Sequence, residues 1–293
     1  MSGSVAKAEN TNGETRRVVA VIRGIPTSDG AGVKLTRVIG QRALPDLDPF
    51  LMLDEFGSEK GADYIGGFPD HPHRGFETVT YMLDGRMRHG DNQGHSGLLV
   101  SGSVQWMTAG RGIVHSEMPE QEDGLMRGFQ LWVNLPATLK MTTPRYQDIR
   151  AGQVKLLSSP DGGALLRLIA GELGGYSGPG VTHTPITIVH ATLSPGAQLR
   201  LPWRAGFNAL AYVLAGSGTV GGDRRPIRMG QLAAFGPGDV VTVAAGNRQD
   251  GPGSQLDILF LGGQPIREPV AAYGPFVSTS AVGNGIVFVF KNP

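Results

Sequence analysis

The sequence predicts an all-β protein of the sandwich or barrel class. Three observations carry this expectation. Short runs rich in Val, Ile, Thr and aromatic residues alternate with turn residues, among them 45 Gly and 20 Pro. Sustained helical periodicity is nearly absent, and the best helical candidates are Pro136 to Lys140 and the YQDIRAGQV stretch. Two landmarks recur in one order: Tyr81-Met-Leu-Asp-Gly85 as Tyr212-Val-Leu-Ala-Gly216, an offset of 131, and SGSVQWMTAG at 101–110 as MGQLAAFGPG at 229–238, an offset of 128. A repeat of that length implies two copies of one β fold.

Along the chain, MSGSVAKAENTNGETRR has no apolar stretch of the kind a secretory signal needs and is expected to be a flexible polar arm over residues 1–16. The strand candidates follow: RRVVAVIRG, GFETVTYML, SVQWMTA, GFQLWVNLP, ITIVHATL, NALAYVLAG, QLAAF, DVVTVAA and LDILFLGG. They divide into a first barrel over 17–140, a linker over 141–155 and a second barrel over 156–293. The closing VSTSAVGNGIVFVFKNP is apolar and would add a strand or leave a sticky end.

Bulk composition removes several function classes. The formal net charge is +1 with no long Lys/Arg run, which leaves no electrostatic footprint for direct nucleic-acid binding. No apolar run is long enough to span a bilayer. The absence of cysteine excludes disulfides, thiolate metal sites and cysteine nucleophiles, and fits a cytoplasmic setting. GRG at 110–112 lacks the lysine and helix of a phosphate loop, and no nucleophile elbow is present.

The chemistry-bearing stretch is FPDHPHRGFETVTYMLDG at 68–85. Alternation along a strand puts His71 and His73 on one face, with Cβ atoms roughly 6–7 Å apart. Pro72 points away, and its missing N–H suits an edge position. Continued counting puts Gly75 and Glu77 on the histidine face as well. In AGRGIVHSEMPE, His115 and Glu117 also stand at i and i+2. If both strands line one barrel, three neutral imidazoles and a carboxylate converge, a donor set suited to a divalent first-row metal with open positions. A single histidine of this kind is more often a surface or strand residue, and the paired spacing in both segments is what favours the metal. Applying the two offsets sets His71 against Pro202, His73 against Arg204, Glu77 against Asn208, His115 against Val243 and Glu117 against Ala245, so the second copy keeps no ligand.

These segments, with QWMTAGRGIVHSEMP, GFQLWVNLP, KMTTPRYQ and REPVAAYGPFV, resemble the pirin family of the cupin superfamily, from about Arg17 to about Val277. The resemblance implies two tandem cupin (double-stranded β-helix, jelly-roll) barrels, a bicupin, with iron in the first. It implies His71, His73, His115 and Glu117 as ligands and leaves Glu77 as a group beside the pocket. The same resemblance implies Fe(II) first among the metals, with Ni, Cu, Mn or Zn as alternatives. It also implies quercetin 2,3-dioxygenase activity on a flavonol and O₂. The catalytic base would then be Glu117, with Glu77 second. A non-enzymatic alternative is a metal- or redox-sensitive regulator that binds a protein partner such as a transcription factor. Phe68, Phe76, Trp106, Met107 and Phe129 are candidates for an apolar mouth. His89 and His95 are expected to be solvated loop residues, and Arg74 and Arg111 to make surface ion pairs.

Overall fold

The structure is a computed structural model that describes residues 3–4, 13–249 and 253–279. All nine strand candidates form strands. They build two β barrels, each made of one large and one small sheet.

In the first barrel a seven-stranded sheet runs, in order of neighbours, Arg145–Ile149, Val104–Thr108, Phe76–Asp84, Met126–Asn134, Phe50–Ser58, Val33–Ile39 and Ile25–Asp29. Facing it is a four-stranded sheet of Phe68–His73, Ile113–Pro119, Arg86–Asp91 and Ser96–Val100. The second barrel repeats the pattern. Its small sheet holds Gln198–Pro202, Val240–Ala245, Ser217–Val220 and Arg225–Arg228, in the same sequence order and neighbour order. The repeat inferred from two short landmarks is therefore a repeat of strand pairing.

Alternation along the large sheets explains how the barrels stack. On Phe76–Asp84, Val79 and Tyr81 face outward and join Trp106, Phe129 and Leu131 in one core with Ile188, Leu210, Tyr212 and Leu259 of the second barrel. The opposite face holds Met82, which packs inside the first barrel with Leu35, Phe56, Met87 and Leu99. A polar chain crosses the junction. The Tyr81 hydroxyl stands 2.9 Å from His190 Nδ1, and His190 Nε2 stands 2.8 Å from Asp257 Oδ1. Burial pushes Tyr81 up to about 12, so its hydroxyl stays protonated at neutral pH.

Several expectations shift. Val18–Arg23, numbered with the first barrel, pairs with Gln231–Phe235 in the large sheet of the second. Arg145–Ile149, placed in a helical candidate and the linker, is a strand on Val104–Thr108 at the end of the sheet. The helical candidates keep single 3₁₀ turns at Ala137–Leu139 and Ala151–Gln153. Within the expected free arm, Thr15 bridges Val240, and Arg16 is buried with its guanidinium donating to the carbonyls of Gly236, Gly238, Arg204 and Ala205. Near the other end, Ala271–Tyr273 and Phe276–Ser278 form a hairpin that bonds back to Arg74 of the first barrel. The closing apolar residues from 280 lie outside the described residues.

Candidate metal centre

Phe68–His73 is the edge strand of its sheet, which accommodates Pro72. Its neighbour Ile113–Pro119 runs antiparallel with His71 opposite His115, His73 opposite Ile113, and a register shift between His115 and Glu117. The pairing brings the three imidazoles together. Ring centroids are 4.6 Å apart for His71 and His73, 4.4 Å for His71 and His115, and 5.0 Å for His73 and His115. One nitrogen from each lies within 4.8 Å of the others.

The donor chemistry fits a divalent metal. His71 Nδ1 stands 2.8 Å from the carbonyl of Pro69, which can only accept, so the ring proton sits there and the Nε2 lone pair is free. That Nε2 faces His73 Nε2 at 3.0 Å. Among the described residues both ring nitrogens of His115 are buried without a hydrogen-bond partner. Burial, helped by the neighbouring imidazoles, pushes His73 well below its ordinary value. Burial also takes His115 to about 4, against the opposing pull of the Glu117 charge. Both rings are thus neutral near pH 7, the form in which imidazole binds a metal.

Glu117 is fully buried on the His115 face of its strand. Its Oε1 accepts from the Thr80 hydroxyl at 2.7 Å and its Oε2 from Gln130 Nε2 at 2.7 Å. It lies outside the group of three whose ligand atoms come within 4.8 Å of one another. Gln130 is itself oriented by Trp132, whose indole N–H donates to Gln130 Oε1 at 3.3 Å.

Glu77, expected on the histidine face, is on the other. The strand that carries the histidines ends at His73, and Gly75 has φ +88° before a new strand begins at Phe76. Counting parity through that break gives the wrong side. Phe76 and Thr80 point inward, the first 5.1 Å from the His73 ring and the second onto Glu117. Glu77 points to the barrel junction, where Oε1 accepts from Thr108 at 2.7 Å and Oε2 from Thr182 at 2.9 Å.

A cavity of about 430 Å³ opens beside the histidines. His71 and His73 form one wall; Phe68, Trp132, Met52 and Phe56 are its apolar lining. Arg37 and Asp54 also line it, joined by bonds of 2.9 and 2.7 Å, with Arg37 Nη2 reaching Asp29 at 2.9 Å. Burial raises the Asp54 carboxyl, against the hydrogen bond and charge of Arg37. The hydrogen bond to Asp54 in turn raises Arg37. Of the five mouth candidates, Phe68 alone lines the cavity. Phe76 packs behind His73, Trp106 and Phe129 belong to the junction core, and Met107 packs with Ala109 and Ile113. Trp132 and Arg37 escaped the sequence reading, although the inward parity of Leu35–Arg37 and of Gln130–Trp132 was available. A larger depression of about 610 Å³ on the second barrel, around Arg224 and Arg228, contains no candidate ligand.

His95 is exposed and pairs with Asp91 at 2.9 Å, as expected of a loop residue. His89 is the correction. It sits on a strand directly opposite Glu117, is 2% exposed and stacks on Tyr146. Arg74 reaches the sulfur of Met141, and neither it nor Arg111 pairs with a carboxylate among the described residues.

The second barrel explains its own lack of a site. Val243 stands opposite Leu199 and Val241 opposite Leu201. With His115 equivalent to Val243, the counterparts of His71 and His73 are Leu199 and Leu201, not Pro202 and Arg204. The segment joining this strand to the next runs from Trp203 to Phe207, three residues longer than Arg74–Gly75, which raises the offset from 128 to 131; the hairpin over 217–228, three residues shorter than that over 86–100, returns it to 128. Leu199, Leu201, Val243 and Ala245 all belong to a packed apolar core.

Two tandem cupin barrels, one gathering three imidazoles at a cavity and the other filled with aliphatic side chains, define a bicupin with one candidate metal centre among the described residues. Residues 32–133 match the family described as Pirin, and residues 188–282 the Pirin C-terminal cupin domain. The chain belongs to the pirin family. It is 46% identical over 270 residues to a pirin-like protein of Caulobacter vibrioides, covering 92% of this chain and 94% of that one. It is 38% identical to the pirin of Homo sapiens, covering 96% and 94%. A crystal structure of quercetin 2,3-dioxygenase from Acinetobacter baumannii superposes with a TM-score of 0.82 at 31% identity, covering 91% of this chain and 93% of that one.

Proposed function

We propose that the chain is a metal-dependent dioxygenase that opens the ring of a flavonol such as quercetin. Both atoms of O₂ enter the product and one carbon monoxide leaves. The observation that carries this reading is the convergence of three imidazoles, two of them on the wall of an aromatic-lined cavity. The likeness to a quercetin 2,3-dioxygenase supports it.

His71, His73 and His115 would hold the metal, Fe(II) in first place, with Glu117 completing the set from the same strand face as His115. When bound, the metal supplies a Lewis-acid centre for the substrate 3-oxygen and for O₂. The protein residues do the rest. Glu117 takes the 3-hydroxyl proton as general base. Thr80 and Gln130 hold its carboxylate in place. Phe68 and Trp132 flank the flat substrate and exclude water from it. Glu77 has no part, because it bonds Thr108 and Thr182 on the opposite sheet face.

Elemental analysis and aerobic assay test the proposal together. The wild type should carry close to one transition metal per chain and release carbon monoxide from quercetin. A His71→Ala, His115→Ala variant should lose both and stay folded, since the second barrel packs without a metal. No carbon monoxide from protein loaded in turn with iron, nickel, copper and manganese rejects the enzymatic reading.

A further inference from the structure

The cavity beside the histidines has one wall that a purely apolar ligand would not need. Arg37 and Asp54 occupy strand positions that alternate into the barrel beside Leu35 and Phe56, and both line the cavity. The Asp54 side chain is 4% exposed and that of Arg37 24%. Bringing an ion pair inside a barrel forfeits hydration that mutual attraction returns only in part, so a buried pair is weak evidence for stability alone. The Arg37 guanidinium is also only partly used. Nε bonds one Asp54 oxygen, and Nη2 bonds the other and Asp29. Nη1 makes no hydrogen bond among the described residues, so two N–H donors remain on a side chain fixed by two carboxylates. The cavity therefore presents a nitrogen cluster at one wall, aromatic sides at Phe68 and Trp132, and a fixed guanidinium at another.

We propose that Arg37, oriented by Asp54 and Asp29, selects the substrate of this cavity. It receives an acceptor oxygen (hydroxyl, phenolate or carboxylate) carried on a ring other than the one that meets the histidines. The substrate class is then a flat aromatic with oxygens at two separated places, not a simple hydroxyaromatic. The inference rests on the flavonol reading and deepens it.

Calorimetric titration of iron-loaded protein without oxygen, so that nothing turns over, tests it with two flavonols. Quercetin carries oxygens on every ring, and 3-hydroxyflavone lacks the remote ones. The wild type should bind quercetin at least about tenfold more tightly, the scale of one hydrogen bond to a charged group. Arg37→Gln with Asp54→Asn, which removes both charges together, should weaken quercetin far more than 3-hydroxyflavone and reduce the preference to under about twofold. Arg37→Lys should also reduce it, with a melting temperature near that of the wild type. Equal wild-type affinities, or variants that weaken both ligands alike, overturn the role of Arg37 and leave the flavonol reading standing. A wild type that binds neither flavonol overturns both.

Discussion

Glu117 and Glu77 show how one side chain's direction decides its chemistry. Both are buried carboxylates that take two hydrogen bonds, yet only Glu117 shares a strand face with one of the histidines, His115. Gln130 is the residue whose loss should reveal this most directly. Gln130→Leu keeps the bulk but leaves one Glu117 oxygen buried without its donor. Outer hydrogen bonds of this kind typically contribute about 10–100-fold to metal affinity. We expect a weakening in that range, read by chelator competition, with metal still bound through the imidazoles. Unchanged affinity would place Glu117 outside the coordination. The i, i+2 histidine pairs were legible because alternation is local. Glu77 was misplaced because the strand breaks at Gly75, where φ is +88° and the Val277 carbonyl, more than two hundred residues away, leaves no room for a side chain.

That contact belongs to the scale of elements. A Cβ on Gly75 would lie 2.1 Å from the carbonyl oxygen of Val277, at a φ that side chains rarely adopt. Gly75→Ala should therefore detach the Ala271–Ser278 hairpin, which lines the cavity through Gly274 and Pro275. The expected loss is about 1–3 kcal/mol, seen as a lower melting temperature and new protease cleavage within 271–278. An intact hairpin in that variant would show that the segment docks by other contacts. At this scale the β-branched runs were readable, since nine of nine became strands. Arg86–Asp91 and Arg145–Ile149 were not, because RMRHGD and RYQDI carry charge where a strand signal looks for Val and Ile. Their place comes from pairing with neighbours. The repeat was readable from its landmarks, but the three extra residues after Pro202 became visible only through register.

For the whole molecule, the junction between barrels contains a group that should tie stability to pH. Burial pushes the Asp257 carboxyl up, but the hydrogen bond and charge of His190, with Thr192 and Arg167, hold it below its ordinary value. The native state then binds fewer protons than the unfolded one, so stability from Asp257 is complete above the unfolded pKa of about 3.9 and is lost as pH falls through the native value. Urea unfolding should show Asp257→Asn less stable than wild type at pH 6, with the gap closing toward pH 3. A gap that is constant over that range would remove Asp257 from the linkage.

The exchanged ends carry one more consequence. Val18–Arg23 completes a sheet of the second barrel, and Gly274 and Pro275 complete the rim of a cavity in the first. During synthesis the leading strand must wait for residues beyond 230 to exist, and the histidine chamber stays unfinished until almost all of the described chain has left the ribosome. A product that stops short of the hairpin would lack the part of the rim that Gly274 and Pro275 supply beside His71 and His73.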